Sequence, residues 1–152
     1  MVSSVPPHPF PGDARPDFSA ADCRRLSVRT IAEVSPLTEQ FAAELAQAGF
    51  NDKDVFGLRL AVEEAVVNGI KHGNGGDPSK QVRIHYRVSP EQVLLLIEDE
   101  GQGFKPDELP DPRSDECLER PCGRGVFLMR FYMTWVQYSE RGNSVTMCKK
   151  RN

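Results

Sequence analysis

The sequence has little of what marks several large classes of protein. Its 152 residues carry 19 Lys and Arg against 22 Asp and Glu, a formal net charge of -3, so it lacks the basic excess of a non-specific nucleic-acid binder. Its longest apolar runs, such as residues 93–97, are far shorter than the ~20 residues that span a bilayer. We therefore expect a protein that binds neither nucleic acid nor membrane.

The N-terminus and the cysteines argue against two further classes. Residues 1–12 contain no Lys or Arg, and prolines interrupt their apolar run, which argues against a secretory signal peptide. The four cysteines form no CxxC pair and have no His at zinc spacing, so free reduced thiols without a chemical role are favoured. The sequence predicts a cytoplasmic protein.

Chain length and proline placement predict one domain behind a short tail. Five of the 12 prolines lie within the first 16 residues, so residues 1–20 are predicted to form a flexible tail. A disordered extension is favoured there over a docking arm. Residues 21–152, with an ordinary share of apolar and charged residues, then form the domain.

Strand and helix patterns follow one another along this domain. Ser35 and Pro36 are typical of a first helix start, and Asn51 or Asp52 can cap the second helix. A long loop is predicted over 105–122. Strand patterns cover 24–34, 81–88, 92–99, 134–138 and 144–147, and helix patterns cover 36–48, 52–72 and 126–131. The mixture of antiparallel hairpins and helices predicts an α+β two-layer sandwich.

The second predicted helix is apolar around most of its circumference. Glu64 and Asn68 lie one turn apart on its polar side, opposite a stripe that includes Leu58 and Val62. On a largely buried helix such a pair is expected to face a cleft, although a surface or capping role is the commoner use of this spacing. Carboxylate and amide oxygens are ligands that Mg²⁺ accepts together with phosphate and water.

Two glycine motifs follow the helix in the sequence. Asp99 ends a buried strand before Gly101 and Gly103, where a carboxylate can accept a hydrogen bond from an exocyclic amine and the glycines let the backbone approach a flat ring. An ordinary glycine turn explains this motif equally well. Gly123 and Gly125 open a helix and offer backbone N–H groups to a phosphate, but a GxG alone is a weak signal.

In this order and spacing the three motifs resemble the nucleotide site of the GHKL ATPase superfamily. Residues 64–73 look like its N box, residues 99–104 like its first glycine box and residues 123–129 like its second. The resemblance extends over about residues 26–150. It implies a Bergerat-type ATP-binding fold, with a mixed, mostly antiparallel sheet that carries helices on one face.

Within the superfamily, this chain is most similar to the stand-alone anti-sigma factor serine/threonine kinases, both in its short length and in the sequence EAVVNGIKHGN. This resemblance implies a homodimer that uses Mg-ATP, binds a sigma factor or similar regulator, and phosphorylates a serine of a STAS-type anti-anti-sigma protein. Two alternatives are a non-catalytic ATP-binding interaction module, against which Glu64 argues mildly, and an ATPase fragment of a multi-protein sensor system.

The resemblance assigns roles to the residues of the first two motifs. Glu64 is implied as the general base that orients the attacking hydroxyl, and Asn68 as the ligand of Mg²⁺. Asp99 is implied as the acceptor for the adenine amino group, while Gly101 and Gly103 make room for the base.

The second glycine box carries the implied phosphate contacts. Gly123, Arg124 and Gly125 are assigned to the phosphate site, where the two glycines present backbone N–H groups. Arg120 matches a lid arginine that contacts the terminal phosphate, although the segment between it and Gly123 is one residue longer than the family pattern.

Four further positions are assigned less sharply. Lys71 and His72 either contact phosphate or finish the helix, and the second interpretation is slightly favoured. The family often has Gly-Thr-x-Val in its last strand, whereas this chain has Gly-Asn-Ser-Val, so Asn143 or Ser144 is expected to replace the threonine hydroxyl near adenine.

Overall fold

The computed structural model describes residues 18, 23–101, 129, 131–139 and 142–151. Within them, two α-helices pack against a five-stranded sheet. The elements in chain order are β1 (Arg24–Val28), a 3₁₀ turn (Ile31–Glu33), α1 (Val34–Gln47), α2 (Asp52–Asn68), a π-helical segment (Gly69–Gly73), β2 (Val82–Val88), β3 (Gln92–Glu98), β4 (Trp135–Tyr138) and β5 (Ser144–Lys150).

The sheet has the order β1-β2-β3-β5-β4, and all neighbouring strands are antiparallel. The predicted α+β sandwich with a mostly antiparallel sheet is confirmed. The central strand, β3, pairs with β5, which is distant from it in sequence, and their register pairs Glu98 with Ser144. The end of β3 therefore lies beside the start of β5.

The core lies between the helices and one face of the sheet. Alternate residues of β3, among them Leu95 and Ile97, are buried there together with Leu58, Val62 and Val66 of α2. Alternation of side chains in a strand places such residues on one face, and a helical stripe meets them from the other side. Burial of each large aliphatic side chain contributes about 1.5–3 kcal/mol, so this contact fixes where α2 lies on the sheet.

The strand predicted for the first segment is too long. β1 ends at Val28, and the Glu33 carboxylate then accepts hydrogen bonds from the backbone N–H groups of Arg29 and Thr30, each at 3.0 Å. These bonds hold the pKa of Glu33 below its ordinary value. They also start the 3₁₀ turn that leads into α1, so helical structure begins before the predicted cap at Ser35.

The second helix begins as predicted and ends with a wider turn. The Asn51 side chain caps α2 by accepting a hydrogen bond from the backbone N–H of Asp54 at 2.8 Å. The helical chain continues through the π-helical segment past His72, so the predicted extent is confirmed, while the regular α-helix stops at Asn68.

The β2–β3 hairpin and the two closing strands are also confirmed. Of the helix predicted over 126–131, residues 129 and 131 are helical. The loop predicted over 105–122 lies outside the described residues, as does the predicted tail apart from Phe18. None of the helices in the described part of the chain is long and apolar enough to cross a membrane.

Candidate functional site

A pocket opens where α2 ends beside the adjacent ends of β3 and β5. Three parts of the chain form its wall: the last turn of α2, the end of β3, and the hairpin between β4 and β5. The lining residues are Ala65, Asn68, Gly69, Ile97, Asp99, Tyr138, Gly142, Asn143, Ser144 and Val145.

Four of the predicted site residues meet in this pocket. Asn68, Asp99, Asn143 and Ser144 all line it, although they come from three separate stretches of sequence. The backbone N–H of Asp99 donates to the carbonyl oxygen of Asn143 at 2.9 Å, so the ladder between β3 and β5 continues to the edge of the pocket. The residues around this space thus include two asparagines, an aspartate and a serine, with the apolar residues Ile97 and Val145 beside them.

The Asp99 carboxylate is held close to the backbone of the π-helical segment. A Cβ atom placed on Gly73 would overlap this carboxylate, and one placed on Gly101 would overlap the carbonyl oxygen of Gly73. The absence of side chains at these two glycines therefore allows the end of β3 to pack directly against the segment that follows α2. Asp99 Oδ1 accepts a hydrogen bond from the Gly101 N–H at 2.7 Å.

Glu64, Lys71 and His72 are not among the described residues that line the pocket. Glu64 is half-buried on α2, one turn before Asn68 and on the same side of the helix. Lys71 and His72 are exposed on the π-helical segment. Although His72 is exposed, nearby protein atoms remove part of the water around its imidazole, and this desolvation, followed by the charge of Lys71, lowers the pKa of His72 and favours its neutral form at pH 7.

The remaining predicted residues lie outside the described part of the chain. They are Gly103, Arg120, Gly123, Arg124 and Gly125. Their implied contacts with the base and the phosphates stay predictions.

The structure also identifies residues that the sequence motifs did not single out. Tyr138 and Gly142 line the pocket from the β4–β5 hairpin, and Gly142 has a φ of 78°, which suits a glycine in the turn. Gly73 ends the N box and leaves the space that the Asp99 carboxylate occupies, a role that the motif alone did not indicate. Asn74, whose side chain is buried, binds the loop after β3, and no signal in the sequence indicates this contact.

The pocket suits a metal ion that needs few protein ligands. The described residues contain no cluster of three or more His, Cys, Asp or Glu that could hold a metal. Asn68, whose side chain carries an amide oxygen, lines the pocket. Mg²⁺ commonly takes only one or two protein ligands and completes its octahedron with phosphate and water, so the donor set fits a nucleotide-bound Mg²⁺.

Comparison with known proteins agrees with this geometry. Residues 28–149 match the family model described as a histidine kinase-like ATPase domain. The chain is 30% identical over 114 residues to the serine-protein kinase RsbW of Listeria monocytogenes, covering 70% of this chain and 73% of that protein. It is 33% identical over 117 residues to the anti-sigma F factor of Clostridium perfringens, covering 73% of this chain and 83% of that protein. The match spans most of the chain, including the strands and helix that form the pocket, and the protein therefore belongs to the histidine kinase-like ATPase family.

Proposed function

We propose that this protein is a cytoplasmic, Mg-ATP-dependent serine/threonine kinase of the anti-sigma factor type. Its substrate is a serine of a STAS-type anti-anti-sigma protein, and it also binds and sequesters a sigma factor or a similar regulator. The observation that carries the proposal is the meeting of Asn68, Asp99 and Ser144 in one pocket of a histidine kinase-like ATPase domain. Relatives named as a serine-protein kinase and an anti-sigma factor support the reaction and the class of partner.

In this proposal the two ends of the pocket have different tasks. Asp99, fixed at the end of β3, accepts a hydrogen bond from the exocyclic amine of adenine, and Asn143 or Ser144 contacts the same base from β5. Asn68 would hold Mg²⁺, and the ion would supply positive charge to the phosphates. Glu64, one turn before Asn68, orients the serine hydroxyl of the substrate and accepts its proton.

The second glycine box is proposed as the binding site of the phosphates. Gly123, Arg124 and Gly125 are proposed to bind the phosphate oxygens, and Arg120 to contact the terminal phosphate. Lys71 and His72 follow Asn68 on the helical chain and either contact phosphate or serve only to finish the helix.

Two matched substitutions at α2 test the catalytic assignment. Glu64→Gln keeps the shape of the side chain and removes its basicity, so phosphoryl transfer should fall by about 100-fold or more while ATP binding persists. Glu63→Gln is the control, because Glu63 is exposed and points about 100° away around the helix. Transfer of labelled phosphate from ATP to a STAS-type protein measures both. Equal rates for wild type and Glu64→Gln would show that Glu64 is not the base.

Calorimetric titration tests the nucleotide site separately. Wild-type protein should bind ATP and a non-hydrolysable analogue, and removal of Mg²⁺ should weaken both. Asp99→Asn should weaken ATP binding by about 10- to 150-fold, the equivalent of one hydrogen bond to a charged group. Binding of ATP without any transfer to a STAS-type protein would instead support a non-catalytic module that works by protein contact.

The proposal includes a homodimer, which the family resemblance implies. β1 and β4 are the edge strands of the described sheet and can each pair with another chain. Sedimentation equilibrium at several protein concentrations measures the stoichiometry, and a monomer over the whole range would remove this part of the proposal.

A further inference from the structure

Three successive backbone N–H groups after β3 each have a specific acceptor. The N–H of Asp99 donates to the Asn143 carbonyl oxygen at 2.9 Å, and that of Gly101 donates to Asp99 Oδ1 at 2.7 Å. Between them, the N–H of Glu100 donates to Asn74 Oδ1 at 2.8 Å. The middle of the segment that carries Asp99 is therefore held by a side chain from the end of the helical chain.

Asn74 is positioned and enclosed to make this contact. It follows the π-helical segment directly, its own N–H donates to the Gly69 carbonyl oxygen at 2.7 Å, and only 4% of its surface is exposed. The bond to an N–H donor identifies the Asn74 oxygen, so the amide nitrogen Nδ2 is the other terminal atom. That nitrogen is buried, and within the described residues it has no hydrogen-bond partner.

A buried amide with an unsatisfied nitrogen is not what stability alone favours. Leaving such a donor unpaired costs free energy, and buried polar groups in native proteins are nearly always satisfied. The unsatisfied nitrogen belongs to Asn74, the same residue whose side-chain oxygen accepts the Glu100 N–H. This pattern is typical of a residue kept for the placement of its neighbours.

Gly73, the residue before Asn74, also determines where Asp99 lies. Gly73 leaves the space that the Asp99 carboxylate occupies, and its carbonyl oxygen lies against Gly101. Gly73 thus limits how close the segment can approach, while Asn74 fixes it by a directional bond. Loss of the bond would let Asp99 move without unfolding the strands on either side.

We infer that Asn74 is a positioning residue for recognition of the nucleotide base: through its hydrogen bond to the Glu100 N–H it aims the Asp99 carboxylate into the pocket. This inference rests on the proposed function and deepens it, because it assigns base selectivity to a residue that does not touch the base. We expect the contact of Asn68 with the phosphate end to persist without this bond, because Asn68 lies on α2, before the π-helical segment.

The preference of the protein for ATP over another purine nucleotide tests the inference. Inosine triphosphate carries an oxygen where adenine carries its exocyclic amine, so the ratio of the Kd for ITP to the Kd for ATP reports the Asp99 contact. Asn74→Ala should raise the Kd for ATP by about five- to tenfold and lower this ratio by a similar factor. At saturating ATP, kcat should stay within about twofold, since chemistry at the terminal phosphate is unaffected. Hydrogen exchange at the Glu100 amide should become faster.

Asn51→Ala is the matched control. It removes the same kind of bond, from an asparagine side chain to a backbone N–H, at the other end of α2. It should lower Tm without changing the ratio of the two Kd values. If Asn74→Ala and Asn51→Ala change the ratio equally at equal loss of Tm, the role of Asn74 is only structural and the inference is wrong.

The remaining outcomes separate the inference from the proposed function. Wild-type protein that binds neither nucleotide would refute both. Wild-type preference for ATP that persists in folded Asn74→Ala would overturn the inference alone. If Asn74→Ala does not fold, Asn74→Ser, which keeps a shorter acceptor, decides in the same way: a lowered ratio with unchanged kcat supports the inference, and the wild-type ratio overturns it.

Discussion

The contact between Gly73 and Asp99 makes a sharp prediction for Gly73→Ala. A Cβ atom at this position would lie 2.5 Å from Asp99 Oδ1. Ordinary contact requires about 3.4 Å or more, so the carboxylate must move by roughly 1 Å. We expect a shift of this size to break a hydrogen bond of about 2.9 Å to adenine, because either its length or its angle leaves the accepted range.

The expected result is a loss of ATP affinity with a folded protein. Loss of a hydrogen bond to a charged group costs about 1.5–3 kcal/mol, so the Kd for ATP should rise by about 10- to 150-fold. Gly73 is not among the glycines with positive φ, so its backbone accepts alanine, and the crowding should cost about 1–3 kcal/mol of stability. Calorimetric titration with ATP and urea unfolding measure the two effects.

Gly57→Ala is the control for this experiment. Its Cβ would meet the Tyr132 ring at 3.0 Å, away from the pocket, and a ring can shift. We expect this variant to bind ATP like the wild type. If folded Gly73→Ala also binds ATP with the wild-type Kd, Asp99 does not contact the base from the position seen here, and the reasoning is refuted.

Two further predictions concern buried groups outside the pocket. Tyr86→Phe removes the hydrogen bond from the tyrosine hydroxyl to the Glu44 carboxylate and should cost about 1.5–3 kcal/mol in urea unfolding. Burial, and then the bond to Glu44, raises the pKa of Tyr86 in the folded protein. The hydroxyl therefore contributes its full stabilisation below about pH 10, the ordinary tyrosine pKa, and this stabilisation is lost as the pH rises toward the higher pKa of the folded state. If wild type and Tyr86→Phe lose stability equally above about pH 10 in an unfolding series, the assignment is contradicted. Burial likewise raises the pKa of the Cys148 thiol. Iodoacetamide at about pH 8 should therefore label Cys148 only after unfolding. Rapid labelling of Cys148 in the native protein, detected by peptide mass mapping, would contradict its burial.

Local patterns predicted most of the fold correctly. The apolar stripe of α2, its cap at Asn51 and the short hairpin between β2 and β3 are all determined by neighbouring residues, and all three are confirmed. The first strand was predicted to continue to Val34 because β-branched residues alternate there. The structure has a turn instead, since the Glu33 carboxylate binds the backbone before it and begins helical structure early.

In the candidate site, too, features set by neighbouring residues were predictable and contacts between distant elements were not. Asn68 and Asp99 are recognised from short motifs, and the fold brings them together. The strand order was not predictable, because pairing of β3 with β5 depends on the whole sheet rather than on either segment. For the same reason the contact of Asn74 was not predictable: its partner, Glu100, lies on another element, and a glycine-rich turn gives no sign of a buried side chain.

The pairing of Glu98 with Ser144 couples the pocket to the folding of the sheet. Two walls of the pocket meet only after β3 and β5 have paired, so a ligand held there binds the folded state and not the open chain. At a concentration 100 times its Kd, such a ligand adds about 2.7 kcal/mol to the free energy of unfolding. The stability of the sheet and the occupancy of the pocket are therefore linked.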